Sequence, residues 1–187
     1  MLSTRDLVLC ALFAALLGGL GMAPPIPLGF LPVPVTAQTL GVMLAGTILG
    51  AKRGGIAALL FVLLVAAGLP LLAGGRGGIG VLMGPTGGFV LSWPVGAFVT
   101  GWLAERFATT ANPIRLFAVS VLGGILVVYA GGIPWLWLVA GLPIDKAVFG
   151  TLAFVPGDLI KAGIAAVAAS GVRRAGILPI HACENGA

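Results

Sequence analysis

The sequence has very little charge. Only 8% of its 187 residues are Asp, Glu, Lys or Arg, against about 25% in an average soluble domain. Histidine occurs once, tyrosine once and cysteine twice. These shortages exclude several kinds of chemistry. The lone His181 lies in the terminal stretch, so no Ser–His–Asp set can be assembled. His181 and Cys183 have no other ligand-type residue close by, so no metal site is expected. Cys10 and Cys183 are too few for a disulfide framework. Two apparent nucleotide motifs also fail on context. Gly75-Arg-Gly-Gly-Ile-Gly80 reads G-x-G-x-x-G but follows an apolar helical run rather than a strand. Gly46–Lys52 has the wrong spacing for a P-loop and no Ser or Thr after the lysine. No cofactor or ATP site is expected, and an enzyme would have to work through Asp158 and Lys161 alone.

What the chain has instead is apolar length. It is 59% hydrophobic, with mean hydropathy +1.17. No charge occurs between Leu7 and Ala51, and a span needs roughly 20 residues. The runs are continuously apolar rather than alternating, which favours helices over a β-barrel. The expected class is an all-α integral membrane protein surrounded by lipid. The N-terminal apolar run continues past any cleavage site, unlike a signal peptide. Net charge is +5, but the basic residues sit at the ends of apolar runs, so topology accounts for them and no nucleic acid partner is expected.

Prolines and charges divide the chain into six expected transmembrane helices, over about 7–23, 35–50, 54–72, 86–105, 114–133 and 157–172, with a surface helix over 145–154. Residues 1–174 are read as one membrane domain and 175–187 as a cytoplasmic tail. Between the first two helices lies an apolar, proline-rich loop, 23–34, and after the third a glycine-rich one, 74–84. Irregular backbone at membrane depth is tolerated when it is buried in protein or lines a cavity. Six helices place both termini on one side. Seven basic residues share that side (Arg5, Lys52, Arg53, Arg106, Arg115, Arg173, Arg174), against Arg76 and Lys146 on the other. The excess makes the termini cytoplasmic and sends both loops and the start of the last helix to the outer face.

That last helix carries the most informative pair. Asp158 and Lys161 are three apart, on one helix face, inside an apolar segment. Ionisable groups at membrane depth are expensive and usually face a cavity or a partner. A purely structural ion pair is the competing explanation.

Gly84-Pro-Thr-Gly-Gly-Phe89 after the glycine-rich loop, Pro32–Thr39, Gly50-Ala-Lys52 and Pro156-Gly-Asp-Leu-Ile-Lys161 together resemble the BioY family, the biotin-binding S components of energy-coupling factor (ECF) transporters. The resemblance runs from Asp6 to about Arg174, with Phe89 where many members carry Tyr and glycine at 74–75 where a polar side chain is usual. It implies six helices, an outer substrate pocket for biotin, and two kinds of partner, a transmembrane T component and a pair of ATPases. The matching motifs supply the expected binding residues Thr36, Gln38, Gly84, Thr86, Asp158 and Lys161, and the glycine-rich loop before them adds Gly75. The family's helix-one coupling motif, two alanines four apart, falls on Ala11 and Ala15. Asp158 could then accept a ureido N–H of biotin while Lys161 donates to its carbonyl, with Arg76 at the tail carboxylate and residues around 26–31 against the apolar parts. In the alternative orientation Lys161 takes the carboxylate. An S component for another vitamin, an intramembrane enzyme and a structural membrane protein are the other functions this sequence permits.

Overall fold

The computed structural model describes residues 3–108 and 110–176. Among the described residues eight helices follow one another: α1 Thr4–Gly21, α2 Gln38–Leu49, α3 Ala51–Ala66, α4 Ile79–Leu82, α5 Gly87–Phe107, α6 Pro113–Leu138, α7 Ile144–Leu152 and α8 Val155–Arg174. No strand is present among the described residues, only two isolated bridges, Ile26 with Val35 and Leu72 with Arg76. Four helices, α1, α5, α6 and α8, are long and apolar enough to cross a membrane. α2, at 12 residues, is about 18 Å long and α3, at 16, about 24 Å. Large apolar side chains such as Val8, Leu12, Ile160 and Val167 point outward, as on a bundle whose solvent is lipid.

Local chemistry explains most boundaries. Ser3 and Asp6 form a capping box at the start of α1. Asn112 caps α6, whose first residue is Pro113. The third helix ends at Ala66, six residues before its expected end, because Gly68 turns with φ +103° and Pro70 keeps Leu69 out of helical geometry. The fifth expected helix runs the other way. It passes through Pro134 to Leu138 and takes Trp135 and Trp137 into the helix, where the sequence reading had them beyond its end. Part of α6, Val121–Val127, is wound as a π-helix. That wider winding resets which side chains face inward after it.

α2 and α3 form a tight helical hairpin. Gly50 turns the chain with φ +84°, and Gly54 then lies directly against Ala45 and Gly46. The free helix ends here are satisfied by two charged residues. Glu105 Oε1 accepts from Ala51 N at 2.8 Å, capping α3. Arg173 donates to Thr47 O from Nη2 at 2.7 Å and from Nε at 3.2 Å, and its Nη1 donates to Ala108 O. Arg53 pairs with Asp6 at 2.8 Å at the same end. So Arg53 and Arg173, counted in the sequence only for charge bias, also tie helix ends together. The expected tail at 175–187 lies, from 177 on, outside the described residues, as do His181 and Cys183.

Candidate functional site

At the opposite end of the bundle, α2, α5, α6, α8 and two loops enclose a small cavity of about 60 Å³. Its polar centre is Asp158, 3% exposed. Pro156 sits in the first turn of α8, and Asp158 follows it there, where the helix dipole favours an anion. Asp158 Oδ1 pairs with Lys161 Nζ at 2.7 Å and accepts from Thr39 Oγ1 at 3.0 Å. Its Oδ2 accepts from the Tyr129 hydroxyl at 2.7 Å. Lys161 also donates to Thr39 Oγ1 at 3.1 Å. The network joins α2, α6 and α8, and each charge has charge-assisted bonds, as burial requires.

A tally of valences shows what the network leaves open. A carboxylate offers about four lone-pair sites and an ammonium three donors. Three acceptor sites of Asp158 and two donors of Lys161 are occupied. By this tally one acceptor and one donor remain, on two residues that both line the cavity.

The rest of the wall is apolar. Phe89, Tyr129 and Phe154 pack edge to face with centroids 6.1–6.5 Å apart. Val33, Pro34 and Val35 of the proline-rich loop also line the cavity. Residues 26–31, expected to do so, do not: Ile26 and Phe30 are exposed, and Leu31 packs on Gly150. The backbone pairing of Ile26 with Val35 at 2.9 Å in both directions folds the loop so that its later half turns inward.

Six of the eight substrate-site residues named from sequence line this cavity: Thr36, Gln38, Arg76, Thr86, Asp158 and Lys161. Gln38 does so with its amide already engaged. Its Nε2 donates to Leu17 O at 3.1 Å and Leu71 O at 3.0 Å, and its Oε1 accepts from Ala73 N at 3.1 Å. It ties the stretch just before the glycine-rich loop to α1. Arg76 Nε donates to Ala73 O at 3.1 Å, and its terminal nitrogens make no further hydrogen bond among the described residues. Gly75 and Gly84 lie off the cavity. Gly75 borders a groove on the outer surface of α1 and α3, and Gly84 O accepts from Trp135 Nε1 at 2.9 Å. Gly88 packs so tightly on Trp135 that a Cβ would collide with it, so this motif seats α5 against α6 rather than offering backbone to a ligand. Thr39 and Tyr129 were missed. Thr39 stood inside the Pro32–Thr39 run, and Tyr129 is the only tyrosine, set in an apolar helix.

Ala11 and Ala15 are exposed, and with Gly18, Met22, Leu60 and Leu64 they line that surface groove. Their stripe faces out of the bundle, while Ala14, next to it, is buried in the core.

Comparison with known proteins shows the family and the fold. The model of the BioY family matches residues 1–177. The chain is 54% identical over 171 residues to the biotin transporter BioY of Rhizobium etli, covering 89% of this chain and 91% of that protein. It is 44% identical over 175 residues to the probable biotin transporter BioY of Bacillus subtilis, covering 94% of each. Its fold matches the crystal structure of the S-component for biotin from an ECF-type ABC transporter with a TM-score of 0.87, at 33% identity, over 93% of this chain and 95% of the other. With a family model spanning almost its whole length and relatives this similar, the chain belongs to the BioY family.

Proposed function

We propose that this chain is the substrate-specific, biotin-binding subunit of an ECF transporter, working with a T component and ATPases rather than as an enzyme. The observation that carries the reading is the remaining pair of valences at Asp158 and Lys161. One edge of a cyclic urea presents an N–H beside a C=O, which is the complement of one free acceptor beside one free donor. Biotin carries that urea. Its fused sulfur ring suits the Phe89–Tyr129–Phe154 wall, and its carboxylate suits the terminal nitrogens of Arg76 at the loop side of the cavity. Thr36 and Thr86 supply two further hydroxyls to the wall. The relatives named above are biotin transporters, which supports the same substrate here.

The finer arrangement follows from charge. Six crossings, with α2 and α3 as short spans embedded among longer helices, put both termini and the Lys52–Arg53 turn in the cytoplasm of a bacterial cell. The cavity then opens outward. One experiment addresses substrate and side together. A cysteine placed at residue 76 should react with a membrane-impermeant maleimide in whole cells, and saturating biotin should slow that reaction. A cysteine at 52 should react only after the cells are opened. Labelling at 76 that biotin leaves unchanged would remove the substrate assignment, and a reversed pattern of accessibility would remove the topology.

The exposed Ala11–Ala15 stripe is the surface for the T component, since small residues let a partner helix approach closely. Trp at both positions should prevent co-purification of the T component while biotin affinity changes less than twofold. An intact complex would assign the stripe to lipid contact.

A further inference from the structure

Trp93 stands on the cavity wall about one turn beyond Phe89 and Val90 along α5. It is 3% exposed, and its ring packs against Phe61 with centroids 5.7 Å apart and planes tilted by 37°. Among the described residues its indole N–H is the one buried side-chain nitrogen or oxygen without a hydrogen-bond partner. The bonds of the Asp158 network, on the same cavity, run between Asp158, Lys161, Thr39 and Tyr129, and none reaches this indole. A buried donor left unpaired is destabilising and calls for an explanation, most directly an acceptor that arrives with a ligand.

The reading of the cavity as a biotin site, on which this inference rests, leaves one such acceptor open. A carbonyl oxygen has two acceptor lone pairs, and Lys161 uses one. α5 and α8 both pack on α2 and both line the cavity, so Trp93 and Lys161 present donors from different walls. The ring sulfur is a much weaker acceptor than the urea oxygen. We infer that the Trp93 indole N–H is the second donor to the ureido oxygen of the bound substrate, and that Trp93 therefore selects for a cyclic urea. It is a specificity-determining contact that exists only in the loaded site.

The test is Trp93→Phe, which keeps an aromatic ring and removes the donor. Biotin and desthiobiotin both keep the urea, so both should lose affinity together, by roughly fivefold to tenfold for one neutral hydrogen bond. The ligand-free variant should still fold, with its melting point lowered only by the packing lost with the smaller ring. Unchanged affinity for biotin overturns the inference. A loss confined to biotin also overturns it, by assigning the N–H to the sulfur. A lower melting point with unchanged affinity makes Trp93 a packing residue only. If the variant does not fold, the indole ¹⁵N–¹H resonance of Trp93 in the unaltered protein should move downfield with either ligand, and a resonance that stays in place overturns the inference. Failure of the unaltered protein to bind biotin would instead strike the underlying assignment of the substrate.

Discussion

Asp158→Asn and Lys161→Met should each insert and fold, and each should weaken biotin binding by roughly ten- to a hundredfold. That is the range for losing one charge-assisted hydrogen bond in a dry site, about 1.5–3 kcal/mol. The folds should survive because each variant leaves a partial network. With methionine at 161, Asp158 still accepts from Thr39 and Tyr129. With asparagine at 158, Lys161 still donates to Thr39. Asp158→Ala should be worse than Asp158→Asn, which keeps one acceptor. The double variant should lose less than the sum of the single losses, because the two residues share Thr39 and bind one edge of one ligand. Equilibrium titration of purified protein measures all four. A structural ion pair predicts the opposite pattern, with lower melting points and biotin affinity untouched wherever the protein folds.

The second large effect belongs to Gln38, which is 1% exposed and holds three backbone groups. Gln38→Ala leaves Leu17 O, Leu71 O and Ala73 N without their partner. A buried polar group left unpaired costs about 1–3 kcal/mol. The net loss should be about 3 kcal/mol, a fall in melting temperature of roughly 6–12 °C for a chain of this size. Gln38→Glu should do no better, because a carboxylate turned towards the Leu17 and Leu71 carbonyls repels both. Biotin should also bind less tightly, since the released loop carries Leu72, Ala73 and Arg76 of the cavity wall. Thermal melting of the ligand-free protein separates the two possible roles. A variant that melts normally but has lost biotin would make Gln38 a direct ligand contact.

Gln38 also shows where sequence reading stops. The amide was legible as a polar group in an apolar run, and its place in the cavity followed from the Pro32–Thr39 motif. Its partners lie 21, 33 and 35 residues away, and no local spacing reports them. The same holds for Tyr129, whose partner is 29 residues on and whose direction depends on the π-helical stretch before it. Local physics served better where it acts within one turn. Asp158 and Lys161 share a face because they are three apart, and the structure brings them within 2.7 Å. Gly68 and Pro70 were visible signs that the third helix would end early. They were outweighed in the sequence by the apolar residues around them. Pro134 misled in the other direction, since a helix within a tightly packed bundle can carry a proline. Gly84 was expected to meet the substrate, whereas its carbonyl accepts from Trp135 and the neighbouring Gly87 and Gly88 leave room for that ring.

The central claim is that Asp158 and Lys161 read the urea edge while Arg76 reads the carboxylate. Competitive titration of biotin, desthiobiotin and biotin methyl ester against the unaltered protein, Asp158→Asn, Lys161→Met and Arg76→Ala tests it most directly. Desthiobiotin keeps the urea and should weaken in parallel with biotin in the first two variants. The ester should bind the unaltered protein less tightly than biotin does, and Arg76→Ala should erase that difference while Asp158→Asn and Lys161→Met preserve it. If Lys161→Met is the variant that erases the preference for biotin over its ester, the carboxylate meets Lys161, the molecule lies in the opposite orientation, and the account is wrong.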